Sequence, residues 1–285
     1  MMRLAWTTLA RGRGQVIGWG LGVFLWAVLV MSLWSTVLAQ QQQVEELLSA
    51  YPPEFMAIFG EMASFTTPAG YLSLEFFTLM PLLIGVFAVL GGSWMVSGDE
   101  ERGQLDLYLA HPIPRLSFFA GRAIGQIGLM AAVLGMGWVG LAIGIVRSSI
   151  DISLWTLALP FLSLFALLAV YFALGLFLSQ VVPSGRVAAM VSGLALFGGY
   201  LLPILGRLSQ DYQGISRYTP FAYYQGGDAM VEMNWGWWAG LVGAAVVLLV
   251  AAGFAFHRRD IRVSGEGGWG WTRRVFRRKA TRGIV

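Results

Sequence analysis

Between two long apolar runs the chain carries a charged insert, Ser97-Gly-Asp-Glu-Glu-Arg-Gly-Gln-Leu-Asp-Leu-Tyr-Leu-Ala-His-Pro-Ile-Pro-Arg115. Ser97 and Glu100 stand at the Ser-x-x-Glu spacing of a capping box, in which two side chains satisfy the unpaired N–H groups of a helix start. Asp99, Glu100 and Glu101 then lie at the positive end of the helix dipole. Leu105, Tyr108, Leu109 and Pro112 fall on one face. Pro112-Ile-Pro114 stops the helix, because proline disfavours helix in the residue before it. The pattern predicts a short, capped, amphipathic rod. In a chain otherwise built for lipid, such a rod contacts something in the water phase. The alternative on these residues alone is an ordinary interfacial loop helix.

Residues able to do covalent chemistry are sparse elsewhere. There are no cysteines, which excludes disulfides, thiolate metal sites and cysteine nucleophiles. The two histidines, His111 and His257, are too far apart in sequence to form a haem pair or a zinc site. Lys279 is the single lysine, and the Gly-x-x-x-x-Gly-Lys-Ser/Thr phosphate cradle is absent. If the protein works with ATP, another polypeptide must hold the nucleotide. Glu75, Asp151, Asp228 and Glu232 sit near the outer membrane boundary in this reading, and none pairs with a histidine. Four loop glutamates (Glu45, Glu46, Glu54, Glu61) read as a solvated face, because they lack tight cation-ligand spacing. Gln126 is the strongly polar side chain deepest in an apolar block. An interhelical hydrogen bond is its expected role, with substrate contact as the alternative.

The elements that must position these residues are membrane helices. The chain has 285 residues, of which 57% are hydrophobic and 12% charged. A soluble domain carries about 25% charged residues. Mean hydropathy is +0.67. Six apolar blocks are long enough to cross a hydrocarbon slab: about 16–39, 74–97, 122–146, 154–180, 187–206 and 236–256. Helices are expected, since lipid cannot satisfy bare backbone groups. The even count puts both termini on one side. With the N-terminus inside, all but Arg147, Arg207 and Arg217 of the 19 Lys and Arg residues fall on the inner side. The first block is too long for a signal-peptide core and is read as a retained span. The expected class is therefore an all-α integral membrane protein with six spans and cytoplasmic termini. Residues 1–256 form one transmembrane domain and 257–285 a basic cytoplasmic tail.

Flanking segments add detail. Met2, Ala5, Trp6 and Leu9 share a helical face opposite Arg3, Thr7 and Arg11, as in a helix lying on the inner membrane surface. Pro81 is expected to kink the second span. Gly121/Gly125, Gly140/Gly144 and Gly236/Gly240 stand at the spacing that lets helix backbones approach. The segment Arg217-Tyr-Thr-Pro-Phe-Ala-Tyr-Tyr-Gln-Gly-Gly227 suits either an aromatic belt or a partly re-entrant stretch. In the tail, Arg273-Arg-Val-Phe-Arg-Arg-Lys279 suits anionic lipid. That placement explains the basic balance without nucleic acid.

At Glu100-Glu-Arg-Gly-Gln-Leu-Asp-Leu-Tyr-Leu-Ala-His-Pro-Ile-Pro-Arg115 the chain resembles permease subunits of the ABC type-2 exporter family. These carry a Glu-Glu-x-Gly-Thr-Leu-Glu-Leu-Leu-Leu segment, then proline and arginine, after the second span. Here Gln104 replaces threonine, Asp106 replaces glutamate and Pro114 precedes Arg115. The likeness extends to the amphipathic start, the six spans, Thr67-Pro-Ala-Gly-Tyr71 and Thr219-Pro-Phe-Ala-Tyr-Tyr224. The resemblance implies an ATP-driven exporter permease that is not itself an enzyme and binds no cofactor or metal. A separate nucleotide-binding ABC ATPase holds ATP and Mg, and a second permease copy or a paralogue completes the assembly in a prokaryotic cell membrane. It makes the 97–115 segment a coupling helix, with Asp99, Glu100, Glu101, Arg102, Gly103, Leu105, Leu107, Tyr108, Leu109, Pro112 and Arg115 at the ATPase. Met2, Arg3, Trp6, Leu9 and Arg11 form the flanking interfacial helix. Phe77, Met80, Met190, Phe197 and Tyr200 map to the transport path, an apolar lining suited to lipid, drug or hydrophobic peptide. Two competing readings are a membrane-embedded lipid-modifying enzyme and a non-transporting immunity or sensor protein.

Overall fold

The computed structural model describes residues 2–40, 67–103, 105, 114–148 and 150–258, and all regular structure among them is helical. Five helices are long and apolar enough to cross a membrane, or six when one bent pair is taken as a single span. The expected all-α membrane architecture is therefore present.

The chain opens with α1 (Met2–Arg11), which breaks at Gly12 before α2 (Arg13–Ala39). A π-helical turn occupies Val16–Gly20 of α2. Next come α3 (Pro68–Phe77) and α4 (Met80–Trp94), which meet at a 40° bend. Thr67 caps α3 by accepting the Gly70 N–H at 3.2 Å. Pro68 follows at the first helical position, where its missing N–H would have had no partner. Pro81 likewise sits in the first turn of α4, so the bend lies just before it and not at it. Taken as a single span, this bent pair is the second of six. It starts earlier than the apolar block at 74, because Pro68, Gly70, Tyr71 and Ser73 dilute the hydropathy of the first turns of α3.

A short helix, α5 (Ser97–Glu101), leads toward α6 (Arg115–Arg147). Then follow α7 (Leu154–Val181), α8 (Gly185–Leu208) and α9 (Gln210–Ser216). Two 3-10 turns, Pro220–Tyr223 and Gly226–Met230, precede α10 (Trp235–Arg258). Ser153 and Ser184 cap α7 and α8 by accepting the N–H groups of Thr156 and Val187.

The bundle is organised around α7, whose apolar stretch is 67% buried against 28% for α2 and α10. Leu164, Leu168, Phe172 and Leu176 of α7 are fully enclosed. Glycines bring α4 and α7 to backbone contact: a Cβ at Gly92 would strike the Phe172 carbonyl, and one at Gly175 would strike the Val89 carbonyl. Without water to drive helices together, such close packing is a main source of association. Gly137, Gly140 and Gly144 of α6 receive Val23, Ala27 and Met31 of α2, so the Gly140/Gly144 pair packs as its spacing suggested. Gly240 has open space around it, and no helix packs there among the described residues.

Contacts sort the ends of the bundle. Phe119 near the start of α6 stacks on Phe256 near the end of α10, with ring centroids 5.5 Å apart. Gly125 lies against Thr8 of α1, and Gly185 at the start of α8 lies against Ser97. Hence α1, α5, the first turns of α6 and α8 and the last turns of α10 share one end.

Candidate functional site

The charged insert begins at that shared end, and its local structure departs from the capping-box pattern. Ser97 does not cap α5. Its hydroxyl donates back to the Ser93 carbonyl at 2.5 Å, and the N-cap residue is Val96, which has no side-chain bond to offer. A serine four residues after a carbonyl at the end of the preceding helix has this competing partner one turn back.

What holds α5 is an ion pair that spacing along the sequence did not reveal. Arg122 of α6 donates to the Asp99 carboxylate at 2.6 Å and to the Met95 carbonyl at 3.1 Å. The two side chains are only 15% and 8% exposed. The guanidinium also stands over the Phe118 ring, 5.9 Å from its centroid. Asp99 and Glu100 are buried in the chain's own fold, and the water-facing residues of this turn are Glu101, Arg102 and Gly103. Gly103 adopts φ +66°, and its N–H donates to the Glu100 carbonyl at 3.0 Å. This is the left-handed termination that glycine allows without a Cβ penalty. Leu105 then turns inward and is 1% exposed. Leu107, Tyr108, Leu109 and Pro112 lie outside the described residues, and Arg115 begins α6 half-buried. The result is an exposed tip, Glu101–Gly103, on a base fixed at Asp99 and Leu105.

Beside it, α1 lies along α6. Ala5 and Thr8 meet Gly125, Leu9 meets Gly128, and Leu129 fills the space beside Gly12. Met2 and Trp6 remain 89% and 72% exposed, with Arg3 and Arg11 also exposed. The amphipathic helix therefore uses two faces: a small one for α6 and a larger apolar one that nothing in this chain covers among the described residues.

The five residues mapped to the path are not brought together within one subunit. Phe77 and Met80 are each 1% exposed, and Phe77 packs edge-on to Phe161 with centroids 5.2 Å apart. Met190 and Phe197 project from α8, 69% and 49% exposed. Tyr200 is half-buried against Phe221. Gln126 crosses to α4, where its amide packs over Gly91.

At the other end, the tyrosine-rich segment turns into the bundle. The Tyr224 hydroxyl donates to the Phe77 carbonyl at 2.9 Å, and the Gln225 N–H donates to Ser163 Oγ at 3.1 Å. Ser163 lies about 13 Å along α7 from its start, at 1.5 Å per residue. The segment is thus anchored to α3 and α7 by Tyr224 and Gln225. The Gln225 amide accepts the Asn234 N–H at 2.6 Å and donates to the Asn234 carbonyl at 3.1 Å, closing the loop before α10.

A sequence model of the family described as "ABC-2 family transporter protein" matches residues 2–261. No curated protein matches the chain. The family match spans the helical bundle, α1 and the charged insert alike, and it makes the protein a membrane component of a transporter. The chain belongs to the ABC-2 transporter family.

Proposed function

We propose that this chain is the permease subunit of an ATP-driven exporter and that a separate cassette ATPase binds and hydrolyses ATP with Mg. Two permeases, identical or paralogous, assemble over two ATPase subunits, with α1, α5 and both termini in the cytoplasm of a prokaryotic cell. The cargo is hydrophobic or amphipathic. The observation that carries this reading is the exposed Glu101–Gly103 tip on a base fixed by Asp99 and Arg122. Force applied at the tip reaches α6 through that pair and α8 through the contact of Ser97 with Gly185. ATP must favour one arrangement over the other to drive export, and a stiff link is what lets the ATPase do so.

The absence of cysteine makes the test direct. An Arg102→Cys variant is expected to react with a membrane-impermeant maleimide in inside-out vesicles and not in intact cells. Co-expression of the ATPase is expected to protect it. Labelling from the cell exterior would overturn the orientation, and labelling unaffected by the ATPase would overturn the docking.

A further inference from the structure

Glu75 lies much deeper between the helix ends than an outer-edge position. Trp26, whose indole N–H donates to the Glu75 carbonyl at 3.2 Å, stands midway along α2, about 20 Å from either end at 1.5 Å per residue. Gly137, against which Phe76 packs, lies about 15 Å in from the end of α6 at Arg147. Phe161, in ring contact with both Phe76 and Phe77, lies about 10 Å in from Leu154. Three independent helices thus put Glu75 well inside the bundle's span.

The side chain is half-buried, and no ion pair of it is seen among the described residues. No counter-charge faces it among the described residues. Arg147, Arg207 and Arg217 are all exposed, and residues 41–66 contain no Arg, Lys or His. An ionisable group at membrane depth is costly unless paired, and such groups mark substrate and ion paths.

One turn beyond Glu75 an apolar stripe begins. Leu79, Leu83, Val86 and Leu90 are each 42–49% exposed along α3–α4, while Met80, Ile84, Phe87 and Ala88 between them are buried. The stripe is bordered by α2, where Trp19 meets Phe87 at 5.8 Å, and by α8, where Leu196 packs on Gly85. Lipid chains covering this stripe would leave the carboxyl group unmatched.

We infer that Glu75 recognises a positive charge on the cargo, an amphipathic cation whose apolar body lies along Leu79, Leu83, Val86 and Leu90. The inference deepens the permease reading and rests on it. Its charge complementarity narrows the cargo from hydrophobic molecules in general to lipophilic cations.

The test is binding to the purified full-length permease in phosphatidylcholine nanodiscs, without ATPase or nucleotide. Tetraphenylphosphonium and its anionic isostere tetraphenylborate are titrated against wild type, Glu75→Gln and Glu75→Asp. The cation is expected to bind wild type, to weaken at least about tenfold in Glu75→Gln and to stay within about threefold in Glu75→Asp. The anion is expected not to weaken in Glu75→Gln. Equal cation binding by wild type and Glu75→Gln, no cation binding by wild type, or equal wild-type affinity for both ions would overturn the inference. Should Glu75→Gln fail to fold, Leu83→Trp, which obstructs the stripe with the carboxylate intact, is expected to weaken cation binding. Unchanged binding there would overturn it too. Because no ATP-driven step enters, a failure of the exporter reading would show separately, as an absence of nucleotide-dependent efflux.

Discussion

The Arg122 guanidinium joins Asp99 and Met95 in one grip, at 2.6 Å and 3.1 Å, so the start of the third span holds both the end of the second span and the helix that follows it. Two charges this enclosed gain little net stability as a pair, but removing either one leaves the other buried and unmatched. Arg122→Met or Asp99→Asn is therefore expected to destabilise the purified protein by about 3 kcal/mol or more. The double variant Asp99→Asn/Arg122→Met is expected to recover part of that loss. Denaturation of the four proteins in one detergent checks this, and additive losses would show that the two residues act independently.

The glycine spacings separate into contacts that matter and contacts that do not. Gly92→Ala puts a methyl group into the backbone of Phe172, so α4 and α7 must part. A loss of about 2 kcal/mol is expected, in the range of other overpacked cores. Gly240→Ala meets nothing within 4 Å and is expected to change stability by less than about 0.5 kcal/mol. Melting temperatures of the two variants measured side by side test the contrast.

Gln225 and Asn234 close the loop before α10 with two hydrogen bonds. Gln225→Ala removes both, although the Asn234 carbonyl still accepts the Trp238 N–H at 3.2 Å, at about 1–2 kcal/mol for the lost bonds. Faster hydrogen exchange is expected across 219–234, with α7 unchanged. Uniformly faster exchange through α7 would mean that the loop supports the bundle itself.

Much of this fold was legible because membrane depth writes itself into hydropathy: the long apolar helices, the N-terminal helix and the insert stand out as composition changes. The parts that were not legible depend on pairing across the chain. Nothing local tells Asp99 that Arg122, on another helix, will face it. A serine such as Ser97 has two hydrogen-bond choices, and only the preceding helix end decides between them. The start of α3 was hidden because Pro68, Gly70 and Ser73 look like loop in a hydropathy window, although Thr67-Pro68 is a helix-start signal in its own right. The depth of Glu75 followed the same error, since a span begun at residue 74 puts it at the rim. For the insert, the pattern found the right segment but not its two sides. Asp99, Glu100 and Leu105 hold it to the permease, leaving Glu101, Arg102 and Gly103 in water.

That division decides which variant bears most directly on coupling. Leu105→Ala would hollow the core before any docking contact was reached, at about 2–5 kcal/mol for a buried leucine. Glu101→Ala touches only the exposed tip and should leave folding intact. The decisive measurement is efflux and ATP hydrolysis followed together in vesicles containing the permease and its cassette ATPase, wild type against Glu101→Ala. Hydrolysis is expected to continue while efflux falls at least about fivefold, a change of roughly 1 kcal/mol in the coupling free energy. Undiminished efflux in Glu101→Ala, or full efflux from vesicles that hold the permease with no ATPase, would contradict the account.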